Sequence, residues 1–226
     1  MIDQVMIYQN LVYIHILLFV FWLGADLGVF ILGQHFRKRS YSLPERLTIL
    51  KLLVITDMGP RTAWCLMVPV TLSMAFTGSW WPGLPGWLVL ASWIVGLVWL
   101  WLVWDAHIHD QTPRAARNRR IETWLKYGLT AFYLWLGIAS LVSGAPLAER
   151  WLAWKALLFG GIFFAALMID VAFKPVRPKL MTLIQQGSSD ATELPLRQAM
   201  DRTRIWVFIL YGLLFVTAYL GTVKPF

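Results

Sequence analysis

Charge and cysteine are both scarce in this chain of 226 residues, and each scarcity excludes something. Only 14% of the residues are Asp, Glu, Lys or Arg, against 58% that are hydrophobic, and the mean hydropathy is +0.61. A soluble domain of this composition would stick to its neighbours, so lipid is the natural solvent. Cys65 stands alone, which rules out an intrachain disulfide and a Cys-based metal cluster. No internal repeat argues for an inverted-repeat transporter. Residues 1–10 carry Asp3 and no basic residue, and the apolar run that follows is too long for a secretory h-region. The expectation is a retained first helix.

Long apolar stretches separated by short polar connectors fill the rest. A bilayer core about 30 Å thick needs roughly 20 apolar residues per helical crossing, and the sequence supplies that length six times. The spans are expected at about 10–33, 57–77, 86–106, 122–143, 151–171 and 204–222. The fold class is therefore all-α, a polytopic transmembrane bundle formed as one domain over residues 1–226. Trp81-Pro82-Gly83-Leu84-Pro85-Gly86 and Ser143-Gly144-Ala145-Pro146 mark tight turns. Two connectors are longer. Residues 40–56 begin with a Ser/Pro/Glu helix-start pattern and lead into a helix that bends at Gly59-Pro60. Residues 174–203 read as an interfacial segment over Leu180–Gln186, a flexible Gly187–Asp190 stretch and a polar lead into the last helix.

Orientation follows from counting Lys and Arg, since cytoplasmic loops carry the excess. Seventeen basic residues fall in the segments Arg37–Arg61, Arg114–Lys126 and Lys174–Arg204; Arg150, Lys155 and Lys224 are the other three. Both ends then face outward across a bacterial-type inner membrane. The +8 net charge is a topology signal with a role toward anionic lipid, and the partner expected is the bilayer, not nucleic acid. Homo-oligomerisation and membership of a larger membrane complex stay open. Trp80, Trp81, Trp87, Trp151 and Trp154 are expected in an outer headgroup belt, and Trp99, Trp101, Trp104, Trp124 and Trp206 in an inner one.

Ionisable side chains at membrane depth cost roughly 2.5 to 3.5 kcal/mol each at a helix centre, so each is a candidate site. His15 and Lys155 lie near the outer face; Asp26, Asp57, Arg61, Asp105 and Asp170 lie nearer the inner one. His15, Phe19, Trp22 and Asp26 are spaced by four, three and four residues, which makes one protein-facing stripe on the first helix. Gly24 and Gly28 offer a Gly-x-x-x-Gly notch for another helix or a planar cofactor. Helix packing, a cofactor-ligand role and a proton relay are all open for His15. Asp57 and Arg61 stand four apart and pair if the helix survives Pro60; the alternatives are a structural salt bridge and capture of an anion such as a propionate or a lipid phosphate. Asp105 and Asp170 are expected to be solvated. Asp105-Ala-His107-Ile-His109-Asp110 suggests a metal site, but on a helix only Asp105/His109 and His107/Asp110 share a face, with His35 free to join either. A polar helix end is the competing reading.

His15-Ile-Leu-Leu-Phe-Val-Phe-Trp22-Leu-Gly24 on the first helix and Trp151-Leu-Ala-Trp154-Lys155-Ala-Leu-Leu on the fifth resemble the superfamily of CopD-type copper-resistance membrane proteins and HemJ-type haem-dependent protoporphyrinogen oxidases. The resemblance covers two helices of six. It implies haem b as cofactor, His15 as axial ligand to the iron and Lys155 as a functional basic residue. The membrane-depth residues add Asp26 to Lys155 as catalytic candidates, and Trp22 and Arg61 to His15 as cofactor-binding candidates, for a membrane oxidoreductase. Six spans exceed the four typical of the HemJ type, and the Asp57–Arg61 pattern has no counterpart there. A second outer-layer histidine is lacking, which excludes bis-His ligation within one chain and leaves a five-coordinate iron or a partner such as Met67 or Met74. Outside the redox reading stand an ion or small-solute transport component using the inner Asp/Arg layer, and an accessory subunit of a larger complex.

Overall fold

The computed structural model describes residues 2–226, and every regular element among them is helical: α1 Ile2–Phe36, α2 Leu43–Thr77, α3 Gly86–Ile108, α4 Pro113–Ser143, α5 Arg150–Phe173, α6 Val176–Gln186 and α7 Asp190–Val223. Five of these, α1, α3, α4, α5 and α7, are long and apolar enough to cross a membrane. The helix α2 has the length, 35 residues, but Asp57, Arg61, Pro60 and Pro69 lower its apolarity. Its place is inside: from Met58 onward it buries Trp64, Cys65, Met67, Val68 and Val70 while packing against α1 and α3. The helix runs unbroken through both prolines, since burial on this scale offsets the hydrogen bonds that proline removes.

The helices start earlier than the apolar spans where an amphipathic lead precedes them. The α2 lead begins at Ser42, whose N–H and Oγ both donate to Glu45 Oε2 at 2.7 Å, a reciprocal cap that satisfies the first turn. At α7, Ser189 N–H donates to Thr192 Oγ1 at 3.0 Å, so the helix starts 14 residues ahead of the expected span at 204. Ahead of it, Gly187 at φ +79 turns the chain in a left-handed conformation open to glycine. The helix α6 then lies along α7, burying Val176, Leu180 and Leu183, a stripe of helical period, while Leu196 and Ala199 are the buried residues of α7 nearby.

Two compact units divide the chain, Met1–Glu122 and Thr123–Phe226, with the boundary inside α4. The first is held by tryptophans. Trp22 of α1 stacks on Trp64 of α2 at 5.7 Å, and Trp64 meets Trp99 of α3 at 5.4 Å. Trp99 is 1% exposed, so it is a core residue and not part of a headgroup belt. Trp101, Trp104 and Trp124 are exposed as a belt requires, as are Trp87 and Trp154. In the second unit the apolar centre is Tyr133, Phe159 and Phe163, with Tyr133 stacked on Phe163 at 5.9 Å. There α4 and α5 touch through glycine: a Cβ on Gly137 would lie 2.6 Å from the Leu157 backbone, and one on Gly160 2.9 Å from Leu134 N.

Candidate functional site

The α1 stripe faces protein. Trp22 is buried and His15, Phe19 and Asp26 are half-buried, while Tyr13, Ile16, Val20, Leu27 and Ile31 stay exposed on the far side. Gly24 belongs to that far side: nothing lies within 4 Å of a Cβ placed on it, and Gly28 meets only the Thr56 methyl at ordinary contact distance. The expected notch is therefore not beside the stripe, because residues two apart on a helix point about 200° apart. Close approach between α1 and α2 occurs instead at Gly59, where a Cβ would sit 3.1 Å from that of Ala25.

Ala25 beside Gly59 and Trp22 on Trp64 set an antiparallel register that brings His15 level with the Pro69–Thr71 turn. The two helices are closed on either side of that level. Trp22 stacks on Trp64 toward one end, and Trp80 Nε1 donates to Tyr8 Oη at 3.1 Å toward the other. Trp22 is stacked on Trp64, Met67 is buried on α2, and the His15 ring has its Nδ1 shielded from solvent.

Arg61 sits at the centre of a charged layer in the first unit. Its Nε donates to Asp57 Oδ2 at 2.5 Å, so the helix survives the proline and the pair forms as its spacing implies. An Arg61 terminal nitrogen also lies 3.6 Å from Glu122 Oε1. Glu122, 6% exposed, was not singled out by sequence reasoning, since nothing in a helix start such as Arg120-Ile-Glu122 says which helix it meets. With two carboxylates against it, Arg61 is charge-compensated. Asp26 is half-buried on α1.

Asp105 is the second correction. Instead of being solvated it is 6% exposed and accepts from Arg114 Nε at 2.7 Å and from Asn118 Nδ2 at 2.6 Å, with His109 Nδ1 3.2 Å away. The shared face of Asp105 and His109 is thus real, but the Arg114 guanidinium and the Asn118 amide fill it. His35 hydrogen-bonds Tyr41 Oη at 2.8 Å, and among the described residues no three His, Cys, Asp or Glu side chains gather into a metal site. A buried carboxylate needs such partners, and this set ties the end of α3 to the start of α4.

Lys155 belongs to the second unit, half-buried on α5. A charged pair between helices of that unit is Lys126 Nζ to Asp170 Oδ2 at 2.9 Å, joining α4 to α5 with the lysine 4% exposed and the aspartate 38%. Asp170 keeps the partial solvation expected of it. Comparison with protein families, with curated proteins and with solved structures finds no match to this chain.

Proposed function

We propose that this integral membrane protein crosses a bacterial-type inner membrane six times, with both ends outside, and that His15 would hold a b-type haem. The observation behind the cofactor is the setting of that histidine: it is at apolar depth, on the protein-facing stripe of α1, with Nδ1 shielded. With Nδ1 shielded, Nε2 is the ring nitrogen that would hold the iron. Bound there, haem would supply one-electron chemistry. In this reading Asp26, at the other end of the stripe, is the carboxylate for proton movement, and Lys155 is the basic residue that the family resemblance implies. Support for the orientation is the charge asymmetry, seventeen basic residues against three.

A visible spectrum of the detergent-purified protein tests the haem. The expected outcome is a Soret band that His15→Ala abolishes and that His107→Ala and His109→Ala leave intact. Protein without haem absorbance, even after haem supplementation during expression, removes this reading. Single cysteines introduced at Gln4 and Ser40 test the topology, and outside labelling at residue 40 would contradict it.

The Arg61 layer favours a second reading, an ion or small-solute transport component, because buried ionisable groups in membrane helices mark pathways. Glu122, buried beside Arg61, is the observation that favours it. A haem-free protein that also shows no Glu122-dependent flux in liposomes would leave the accessory-subunit role.

A further inference from the structure

Of the four arginines between Arg114 and Arg120, two are held by aspartates. Arg114 Nε donates to the buried Asp105 at 2.7 Å, and Arg119 pairs with Asp110 at 2.5 Å. Arg117 and Arg120 are both exposed. The one acidic residue of α4, Glu122, is buried beside Arg61, so their own helix offers these two guanidiniums no carboxylate. They stand three apart and are neighbours on the helix surface. Like charges so placed repel, and an anion set between them relieves the repulsion.

The same face of α4 changes chemistry along its length. Ile121 is 45% exposed, Trp124 70% and Tyr127 46%, and the rings of Trp124 and Tyr127 meet with centroids 5.9 Å apart. Trp135, Ile138 and Val142 continue the exposed face. All of these residues belong to α4, so their common face follows from helical geometry alone; Asn118, Glu122 and Lys126 are buried on the opposite one. Charge, then an aromatic pair, then apolar surface is the order in which a helix passes from water through the headgroup layer into hydrocarbon. Long helical side chains lean toward the N-terminus, so the Trp124 ring reaches back toward the turn of Arg120. One turn beyond it, nothing lies within 4 Å of a Cβ placed on Gly128, which leaves the surface below the ring open.

We propose that Arg117 and Arg120 hold the phosphate of an anionic phospholipid, whose glycerol region rests on Trp124 and Tyr127 and whose acyl chain runs down the open surface at Gly128. Guanidinium groups meet phosphate oxygens two at a time, and the aromatic and apolar surface next to them suits a ligand with a tail. Free phosphate would use the arginines and leave that surface uncovered. This site is independent of the haem reading and stands or falls without it.

The test is titration of the detergent-solubilised full chain with phosphatidylglycerol, phosphatidylcholine or inorganic phosphate, the apparent affinity being read from the rise in Tm. Phosphatidylglycerol raises the Tm, and phosphatidylcholine, whose choline offsets its phosphate, gives no comparable rise. An Arg117→Gln/Arg120→Gln variant melts with wild type when unliganded, because both side chains are exposed. It binds phosphatidylglycerol about thirtyfold more weakly, at about fivefold for each basic residue removed from an anionic headgroup. Arg117→Lys/Arg120→Lys keeps the charge without the bidentate geometry and falls between the two. Arg197→Gln/Arg202→Gln, which removes the same charge from exposed positions of α7, keeps the wild-type affinity. Equal weakening by the two glutamine variants would overturn the proposal, since the lipid would then answer to net charge alone. Unchanged affinity in Arg117→Gln/Arg120→Gln would overturn it as well, as would an equal rise with phosphatidylcholine. Inorganic phosphate that displaces phosphatidylglycerol at equal concentration would assign the arginines to a free anion and overturn the lipid.

Discussion

The two units solve helix packing in opposite ways. The first fills its seams with large rings and prolines: Trp22, Trp64 and Trp99 in one stack, and Pro69 against Gly96 of α3, where an added Cβ would come within 2.9 Å. The second brings backbones together, with Gly137 and Gly160 reciprocally against Leu157 and Leu134. Without a hydrophobic drive between helices in lipid, contact depends on close packing and on hydrogen bonds. A ring stack reaches it by filling space, a glycine pair by removing it. The ring stack tolerates adjustment of side chains; the Gly137 contact does not, because what an added methyl would strike is the Leu157 main chain.

The largest expected effect breaks that contrast most directly. Gly137→Ala places a methyl on the Leu157 backbone and should cost about 3 kcal/mol, the upper range for overpacking, because main chain cannot rotate away. Gly24→Ala, on the open face of α1, should instead raise stability by up to about 1 kcal/mol through helix propensity. Paired thermal melts in detergent check both. A Gly137→Ala protein as stable as wild type would mean that α4 and α5 are not held by this contact.

Next in size is the charged layer of the first unit. Arg61→Ala strips Asp57 and the buried Glu122 of their shared cation and should cost about 1 to 3 kcal/mol, discounted for the partial exposure of the pair. Arg117→Ala, on an exposed stretch of α4, should stay within about 0.5 kcal/mol. Adding Glu122→Gln to Arg61→Ala should recover part of the loss, since the stranded charge goes with it. Equal melting of the two single variants would mean that the layer is hydrated.

How much of this was legible depended on whether a feature is local. The apolar lengths, the His15–Asp26 stripe and the Asp57–Arg61 pair all follow from helical spacing, and the structure has each of them. The lead of α2 was legible from its Ser/Pro/Glu helix-start pattern, and the structure has it; the lead of α7 was missed as helix because the hydropathy signal reports lipid, whereas its helicity rests on a cap and on packing of one amphipathic face. Glu122 beside Arg61, Asn118 beneath Asp105 and the Gly137–Gly160 contact were beyond spacing rules, since each joins residues of different helices. The glycines show this most clearly. Gly24 and Gly28 have the Gly-x-x-x-Gly spacing, yet Gly24 meets nothing and Gly28 only a threonine methyl, whereas Gly137 and Gly160, which lack that spacing, meet the main chain of a facing helix. For the Asp105 network a clue existed in the short Asp110–Thr112 turn, which returns Arg114 and Asn118 to the end of α3.

The smallest expected effect sets one helix start against the other. In the first unit, α2 begins with Ser42 donating twice to Glu45, and these bonds hold the Glu45 carboxyl below its ordinary value. In the second, α7 begins with Ser189 donating to Thr192, which has no charge to lose. A carboxyl lowered on folding contributes stability above its unfolded value, near 4.3, and that contribution disappears as the pH falls through the lowered folded value. Glu45→Gln should therefore melt slightly below wild type at neutral pH, and the gap should close as the medium turns acid below about pH 4. Thr192→Ala should melt below wild type by an amount that does not vary with pH over the same range. A Glu45→Gln gap that persisted unchanged into acid would show that the cap works through the hydrogen-bond geometry that glutamine retains, not through the charge of the carboxylate, and would make the two helix starts equivalent.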